Sequence, residues 1–192
     1  MTFSGAVRLN IALVHHPVMN KRAEVIGSAI TNLDLHDIAR MARTYGVENY
    51  FITTPYNDQQ LLVKELLKHW ETGHGATYNP ARKEALSLIS LYSSVDEVIE
   101  RLTHRYGRKP LVITTSAQSQ AHRILYGELR KRIEKKEPVL LLFGTAHGLS
   151  PEVMQKADGA LSPISGNTDY NHLSVRSAAA IIVDRLLGSK KE

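Results

Sequence analysis

Short, strongly apolar runs alternate with segments of 3–4 apolar spacing along almost the whole chain. No other feature constrains the fold as much. Leu9 to Val14 (LNIALV), Val47 to Thr53 (VENYFIT), Ala85 to Leu91 (ALSLISL), Pro110 to Thr115, Pro138 to Phe143 and the brief Ala160–Leu161 read as strands. Between them, Asp34 to Tyr45 places Ile38, Met41, Ala42 and Tyr45 on one helical face, and Gly46 follows as a stop. Asp58 to Trp70 repeats the pattern with Val63, Leu66, Leu67 and Trp70. Ser94 and Glu97 form a capping box that opens a helix to about Tyr106. Gln118 to Lys135 reads as a further helix, and Ser150-Pro151-Glu152 as an N-cap followed by proline at the first helical position. The last helix is expected from His172 to Leu187, with Val175, Ala179, Ile182 and Leu186 on one face. Glu71 to Pro80 reads as a loop and Gly188 to Glu192 as a frayed tail.

Strands separated by helices predict an α/β fold: a mainly parallel sheet with helices on both faces. With no repeat, low-complexity segment or linker, the 192 residues are expected to form one domain, 1–192. In such sheets ligands bind at the carboxyl ends of strands, which directs attention to the residues after Thr115, Phe143 and Leu161.

The chain has no cysteine, which excludes disulfides, cysteine–zinc sites and thiol nucleophiles. Its first apolar run reads as a strand, not as a leader. No apolar run approaches the roughly 20 residues that span a bilayer, so no membrane is expected and the cytoplasm is the expected location. A net charge of +5 and a pI near 9.4 favour a polyanionic partner such as RNA.

Three segments carry candidate chemistry. Gly144-Thr145-Ala146-His147-Gly148-Leu149-Ser150 follows the strand VLLLF and precedes a capped helix. Its two glycines let the backbone turn tightly and approach a ligand, although it lacks a P-loop lysine and the full GxGxxG pattern. Leu161 to Asn167 (LSPISGN) is a second turn, followed by TDYNHLS leading into the last helix; by itself it is also an ordinary loop ending in an N-cap. Arg40 sits among apolar residues in DLHDIAR, where a snorkelling surface arginine is the simpler reading.

Taken in order, GTAHGLSPEVMQKADGALSPISG and NHLSVRSAAAIIV resemble the C-terminal signature of the SPOUT methyltransferases. ARMARTYGV resembles that superfamily's first motif, with Arg40, Tyr45 and Gly46 at the matching spacing. The likeness is strongest over about 139–187 and moderate over 32–54. Within the superfamily it points to a small stand-alone group related to bacterial tRNA guanine-N1 methyltransferases. The chain departs from the pattern in three places. The turn lacks the usual glutamate and carries His147. The usual Ser-Leu-Asn reads His172-Leu173-Ser174. The usual Asn-x-Gly before the arginine reads Asp34-Leu35-His36, with Asn32 nearby.

The resemblance implies an α/β fold with a deep C-terminal trefoil knot and a bent S-adenosyl-L-methionine within it, over about 139–187. It implies cofactor contacts from Thr114, Thr115, Gly144, Gly148, Leu161, Ile164, Gly166 and Leu173, with Ser162, Asn171 and Ser174 as further candidates. Arg40 is implied to orient RNA or assist deprotonation; an arginine is effectively always charged, so phosphate anchoring suits it as well. His147, His172 and Asp37 are the alternative acid–base groups. The implied partners are tRNA or rRNA and a second copy of the chain meeting the last helix and the first motif, with no metal required. Lys21, Arg22, Arg40, Arg43 and Arg176 are the expected RNA cations. Aromatics make up only 6% of the chain, which favours reading RNA by shape and backbone. Ribose 2′-O and base methylation both remain open. Two alternatives stand beside the enzyme: a non-catalytic RNA-binding or dimerisation module that keeps the pocket, and an unknotted nucleotide-binding enzyme.

Overall fold

The computed structural model describes residues 7–72, 77–118, 120 and 122–189. Its centre is a seven-stranded sheet in the order β5-β4-β1-β8-β6-β9-β7, with every neighbouring pair parallel. The strands are β1 (Leu9–Val14), β4 (Asn49–Thr53), β5 (Ile89–Tyr92), β6 (Leu111–Thr114), β7 (Arg123–Ile124), β8 (Val139–Gly144) and β9 (Gly159–Leu161). A separate antiparallel hairpin pairs β2 (Val18–Met19) with β3 (Val25–Ile26). The helices are α1 (Asn32–Tyr45), α2 (Asn57–Glu71), α3 (Pro80–Leu86), α4 (Val95–Tyr106), α5 (Tyr126–Glu134), α6 (Pro151–Gln155) and α7 (Val175–Leu187).

Side-chain alternation along the central strands builds two cores. Leu9, Ile11 and Leu13 of β1 and Val139, Leu141 and Phe143 of β8 face α1, α2, α3, α5 and α7. Ala12, Val14, Leu140 and Leu142 face α4 and α6. Covering both faces explains why these strands read as unbroken apolar runs. The predicted fold class, a parallel sheet with helices on both faces, is the observed one.

Several boundaries differ from the sequence reading, each for a local reason. The segment Ala85–Leu91 is not one strand. Asn79 caps a helix by accepting from the Arg82 N–H, Pro80 occupies its first turn, and α3 runs on to Leu86 before β5 begins at Ile89. The helix expected over Gln118–Lys135 begins only at Tyr126. Before it, Arg123–Ile124 pairs with Ala160–Leu161 as the edge strand β7, and burial of Ile124 outweighs helical continuation. The last helix starts at Val175, because Ser174 caps it by accepting from the Ser177 N–H. The loop reading of Glu71–Pro80, the start of the Gln118–Lys135 helix and the frayed tail fall partly outside the described residues.

Leu141 is fully buried in the middle of the sheet. Leu141→Ala is expected to cost about 2–5 kcal/mol in urea unfolding, from lost burial and an unfilled cavity. Leu61→Ala, at a site 57% exposed, is expected to change stability by less than about 0.5 kcal/mol.

Candidate cofactor site at the carboxyl edge of the sheet

Strand β8 lies between β1 and β6, and β6 lies beside β9, so the carboxyl ends of three parallel strands meet along one edge. The loops that leave them hold the residues singled out from the sequence: Thr114 and Thr115 after β6, Gly144 to Gly148 after β8, and Leu161 to Gly166 after β9. Asn171 joins this edge, its amide donating to the Ala117 carbonyl at 3.0 Å. Ser174 marks the start of α7, with Leu173 exposed just before it. Leu161 is buried, and Ile164 packs half-buried on the same core, giving the edge an apolar wall.

The two glycines of the β8 turn do different work. A Cβ on Gly144 would lie 2.7 Å from the Leu149 nitrogen and 2.9 Å from the Gly148 carbonyl carbon, so the chain folding back on itself excludes any side chain. A Cβ on Gly148 would meet nothing within 4 Å. What position 148 needs is its backbone conformation, φ +106°, which L side chains rarely adopt.

Pro17–Met19 clamps this turn from outside. Met19 N–H donates to the Gly148 carbonyl at 2.9 Å, His147 N–H donates to Met19 at 3.0 Å, and Ser150 N–H donates to Pro17 at 3.3 Å. A chain of hydroxyls holds it from beneath. Thr145 donates to the Val14 carbonyl at 3.0 Å, and therefore accepts from the Ser28 hydroxyl. Ser28 in turn accepts from His15 Nδ1 at 3.0 Å. This order assigns the Nδ1–H tautomer to His15 and leaves its buried Nε2 with a lone pair and no partner among the described residues. Sequence inspection missed this network. Nothing in VHHP distinguishes a buried, bonded His15 from its half-exposed neighbour His16.

Helix α1 begins with a reciprocal cap. The Thr31 hydroxyl accepts from the Asp34 N–H and donates to the Asp34 carboxylate at 2.6 Å. Asp34 is buried, and its carboxylate also receives Arg176 Nη1 at 2.8 Å. Arg176 Nε lies 3.5 Å from Asp37. This changes two expectations. Asp37 is the ion-pair partner of Arg176, a use that competes with an acid–base role, and Arg176 has its charge matched before any phosphate arrives. Arg43 is likewise paired, with Glu84. Ser162 spends its hydroxyl on the Ile124 carbonyl at 3.2 Å.

The remaining candidates do not all converge. Arg40 is exposed on α1 and faces a groove against α2. His147 is exposed on the hairpin side of its turn, where it lines a cavity of about 290 Å³ with Lys21, Arg22 and Asn20. His172 stacks edge-on against Tyr170 at 5.2 Å in an exposed stretch. Among the described residues, no group of three or more acidic or histidine side chains is placed to hold a metal ion, and no helix is long and apolar enough to cross a membrane.

Burial holds His15 at a pKa of about 4, below its usual 6.5, against a smaller opposing pull from Asp34. The unfolded chain therefore binds a proton that the folded chain refuses. Stability from this group is complete above about pH 6.5 and is lost as pH falls toward 4, by roughly 2–4 kcal/mol. Urea midpoints measured across that window should fall for the native chain. In His15→Asn they should be lower at pH 7 and flatter toward pH 4; an unchanged slope would remove His15 from the network.

The sequence profile of a family described as SAM-dependent RNA methyltransferase matches residues 8–188. A tRNA (guanine-N(1)-)-methyltransferase of Oleidesulfovibrio alaskensis is 49% identical over 180 residues, which cover 94% of this chain and 42% of that protein. The chain thus spans under half the length of that relative. A protein of Aquifex aeolicus is 41% identical over 182 residues, 94% of this chain and 89% of its own. The SpoU methyltransferase AviRb from Streptomyces viridochromogenes, in complex with the cofactor AdoMet, superimposes with a TM-score of 0.59 at 15% identity, covering 96% of this chain and 59% of that one. The Aquifex aeolicus TrmH/SpoU tRNA modifying enzyme gives 0.56 at 15% identity, covering 94% and 74%. These two share the fold. With its profile match running from β1 to the end of α7 and its glycine turn at the meeting of three strand ends, the chain belongs to the family of S-adenosylmethionine-dependent RNA methyltransferases.

Proposed function

We propose that this chain binds S-adenosylmethionine at the carboxyl edge of β8, β6 and β9 and directs its methyl group onto a nucleotide of tRNA. The observation that carries the cofactor half is Gly144, where backbone packs so tightly that only a bare Cα fits. Loops of this kind hold a nucleoside through main-chain N–H and C=O groups together with apolar contacts. Leu161 and Ile164 supply the apolar wall for the adenine. Thr114, Thr115, Gly148, Gly166 and Leu173 supply backbone around it, with Ser162, Asn171 and Ser174 shaping the loops. The names printed for the longer relatives support tRNA as the acceptor. So does the net charge of +5.

The cofactor supplies an electrophilic methyl on a sulfonium; the chain supplies position. Most of the rate then comes from aligning the acceptor behind that methyl. Arg40, exposed and without an acidic partner among the hydrogen bonds and ion pairs of the described residues, anchors the RNA backbone at the groove between α1 and α2. Lys21 and Arg22 at the hairpin tip extend the cationic track, and His147 sits between tip and turn. His147 is the proton acceptor this reading favours, since Asp37 is held by Arg176. We also infer that the segment from β9 into α7 threads the family's trefoil knot, that α1 and α7 face a second copy, and that the protein works in the cytoplasm.

Gly144→Ala should weaken S-adenosylmethionine binding by roughly 5- to 100-fold, the equivalent of about 1–3 kcal/mol of overpacking. Calorimetry measures it, with far-UV circular dichroism to show the fold intact. Arg40→Ala should leave cofactor affinity unchanged and lower methyl transfer to bulk tRNA. Equal turnover by Arg40→Ala would count against its role. Cofactor binding with no transfer to any cellular RNA would leave an RNA-binding module in place of an enzyme. Nucleoside mass spectrometry of tRNA from a deletion strain identifies the product.

A further inference from the structure

One cavity among the described residues lies away from the cofactor edge. It is an open groove of about 710 Å³ lined by α1, α2 and α3, and no residue of the loops after β6, β8 or β9 lines it. That volume is in the range of small-ligand sites, roughly 300–1,000 Å³. Its wall is built around Trp70, the single tryptophan of the chain. The Arg82 guanidinium carbon lies 5.0 Å from the Trp70 ring centroid, and the His36 ring meets the indole edge-on at 5.4 Å. Two polar atoms in this wall, His36 Nδ1 and Arg82 Nε, are buried without a hydrogen-bond partner among the described residues. Buried polar atoms are nearly always paired, so two in one wall ask for an explanation. Burial and the neighbouring Arg82 charge lower the His36 pKa, so the imidazole is the neutral form.

We propose that this groove takes a guanine base of the RNA strand, at a nucleotide flanking the one that is methylated. This rests on the RNA methyltransferase reading above. The chemistry of the wall selects the base. An indole and a guanidinium plane form the stacking surface used for unstacked RNA bases. Glu65 offers a carboxylate acceptor, and the N–H edge of Arg82 offers guanidinium donors. Guanine alone among the bases presents two adjacent donors, N1–H and N2–H, to a carboxylate and two adjacent acceptors, O6 and N7, to an arginine. The separation from the cofactor loops makes the bound nucleotide a neighbour of the acceptor, not the acceptor itself. Asp37 connects the two places: it lines the groove and lies 3.5 Å from Arg176, two residues past the Ser174 cap of α7. Arg40, one turn along α1 from Asp37, stands at the groove's edge where the strand's phosphate would pass.

The test uses Trp70 emission in the full chain, titrated with guanosine 5′-monophosphate and, separately, with the adenosine, cytidine and uridine monophosphates. The expected result is saturable quenching that is strongest for the guanosine nucleotide. Glu65→Gln and Arg82→Gln should each weaken it about tenfold, while calorimetric affinity for S-adenosylmethionine stays unchanged. Trp70→Phe should abolish the signal, and an emission change that persists in this variant overturns the proposal. With bulk tRNA as substrate, Glu65→Gln should raise KM and leave kcat nearly unchanged. No quenching by any nucleotide, or equal quenching by all four that survives Glu65→Gln, overturns the proposal. So does emission that changes with protein concentration alone, which would place a second copy on the groove through the exposed Leu33 and Leu62. Failure of cofactor binding sinks the function proposed above and is read independently; methyl transfer that ignores every groove variant sinks only the groove.

Discussion

The position of β8 between β1 and β6 is the constraint on which the rest of the molecule depends. Five successive residues, Val139 to Phe143, are at most 2% exposed, and their side chains feed both cores. At about 1.5–3 kcal/mol for each large apolar side chain, this strand is the main anchor of the sheet. Both of its neighbours are parallel to it, so all three carboxyl ends are delivered to the same edge. The turn that follows inherits that rigidity. It is held by a bare Gly144, the outer clamp of Pro17–Met19, and one side chain of its own, Thr145, which ends the hydroxyl chain from His15 below.

Electrostatics divide the α1 region into two kinds of arginine. Arg176 and Arg43 are matched by Asp34, Asp37 and Glu84, and they fasten helices together. The Arg176–Asp34 contact joins residues 142 positions apart and binds the last helix to the first. With Asp34 buried, removing Arg176 would strand a carboxylate in a poor solvent. Arg40 is left to face solvent and the groove. The sequence reading treats all three alike as RNA cations; only their acceptors separate fasteners from contacts.

What could be read without coordinates follows the same physical line. The run LNIALV is β1 to the residue, because a strand buried on both faces writes itself as unbroken apolar residues. The alternation of strands and helices, the glycine turn and the Ser150-capped helix after it were legible for the same reason: each is a local pattern. ALSLISL was misread because the cap that starts α3 lies six residues upstream, at Asn79–Pro80. The two-residue strands β2, β3 and β7 have no periodicity to show; their partners, not their own composition, make them strands. Of the site, the backbone loops were visible and the buried network was not. His15, Ser28 and Thr145 are unremarkable singly, and their meaning lies in contacts across 13 and 117 positions.

The β2–β3 hairpin has its own internal closure. The Asn20 side chain accepts from the Arg22 and Glu24 N–H groups, so the tip between Met19 and Val25 is held by itself. Its grip on the glycine turn, by contrast, runs through the main chain of Pro17 and Met19, which any substitution at the tip leaves in place. Evolution can therefore rewrite the side chains of Lys21 and Arg22 without disturbing the turn they overhang. Whatever the tip touches, preference for a partner and competence for chemistry are heritable separately in this fold.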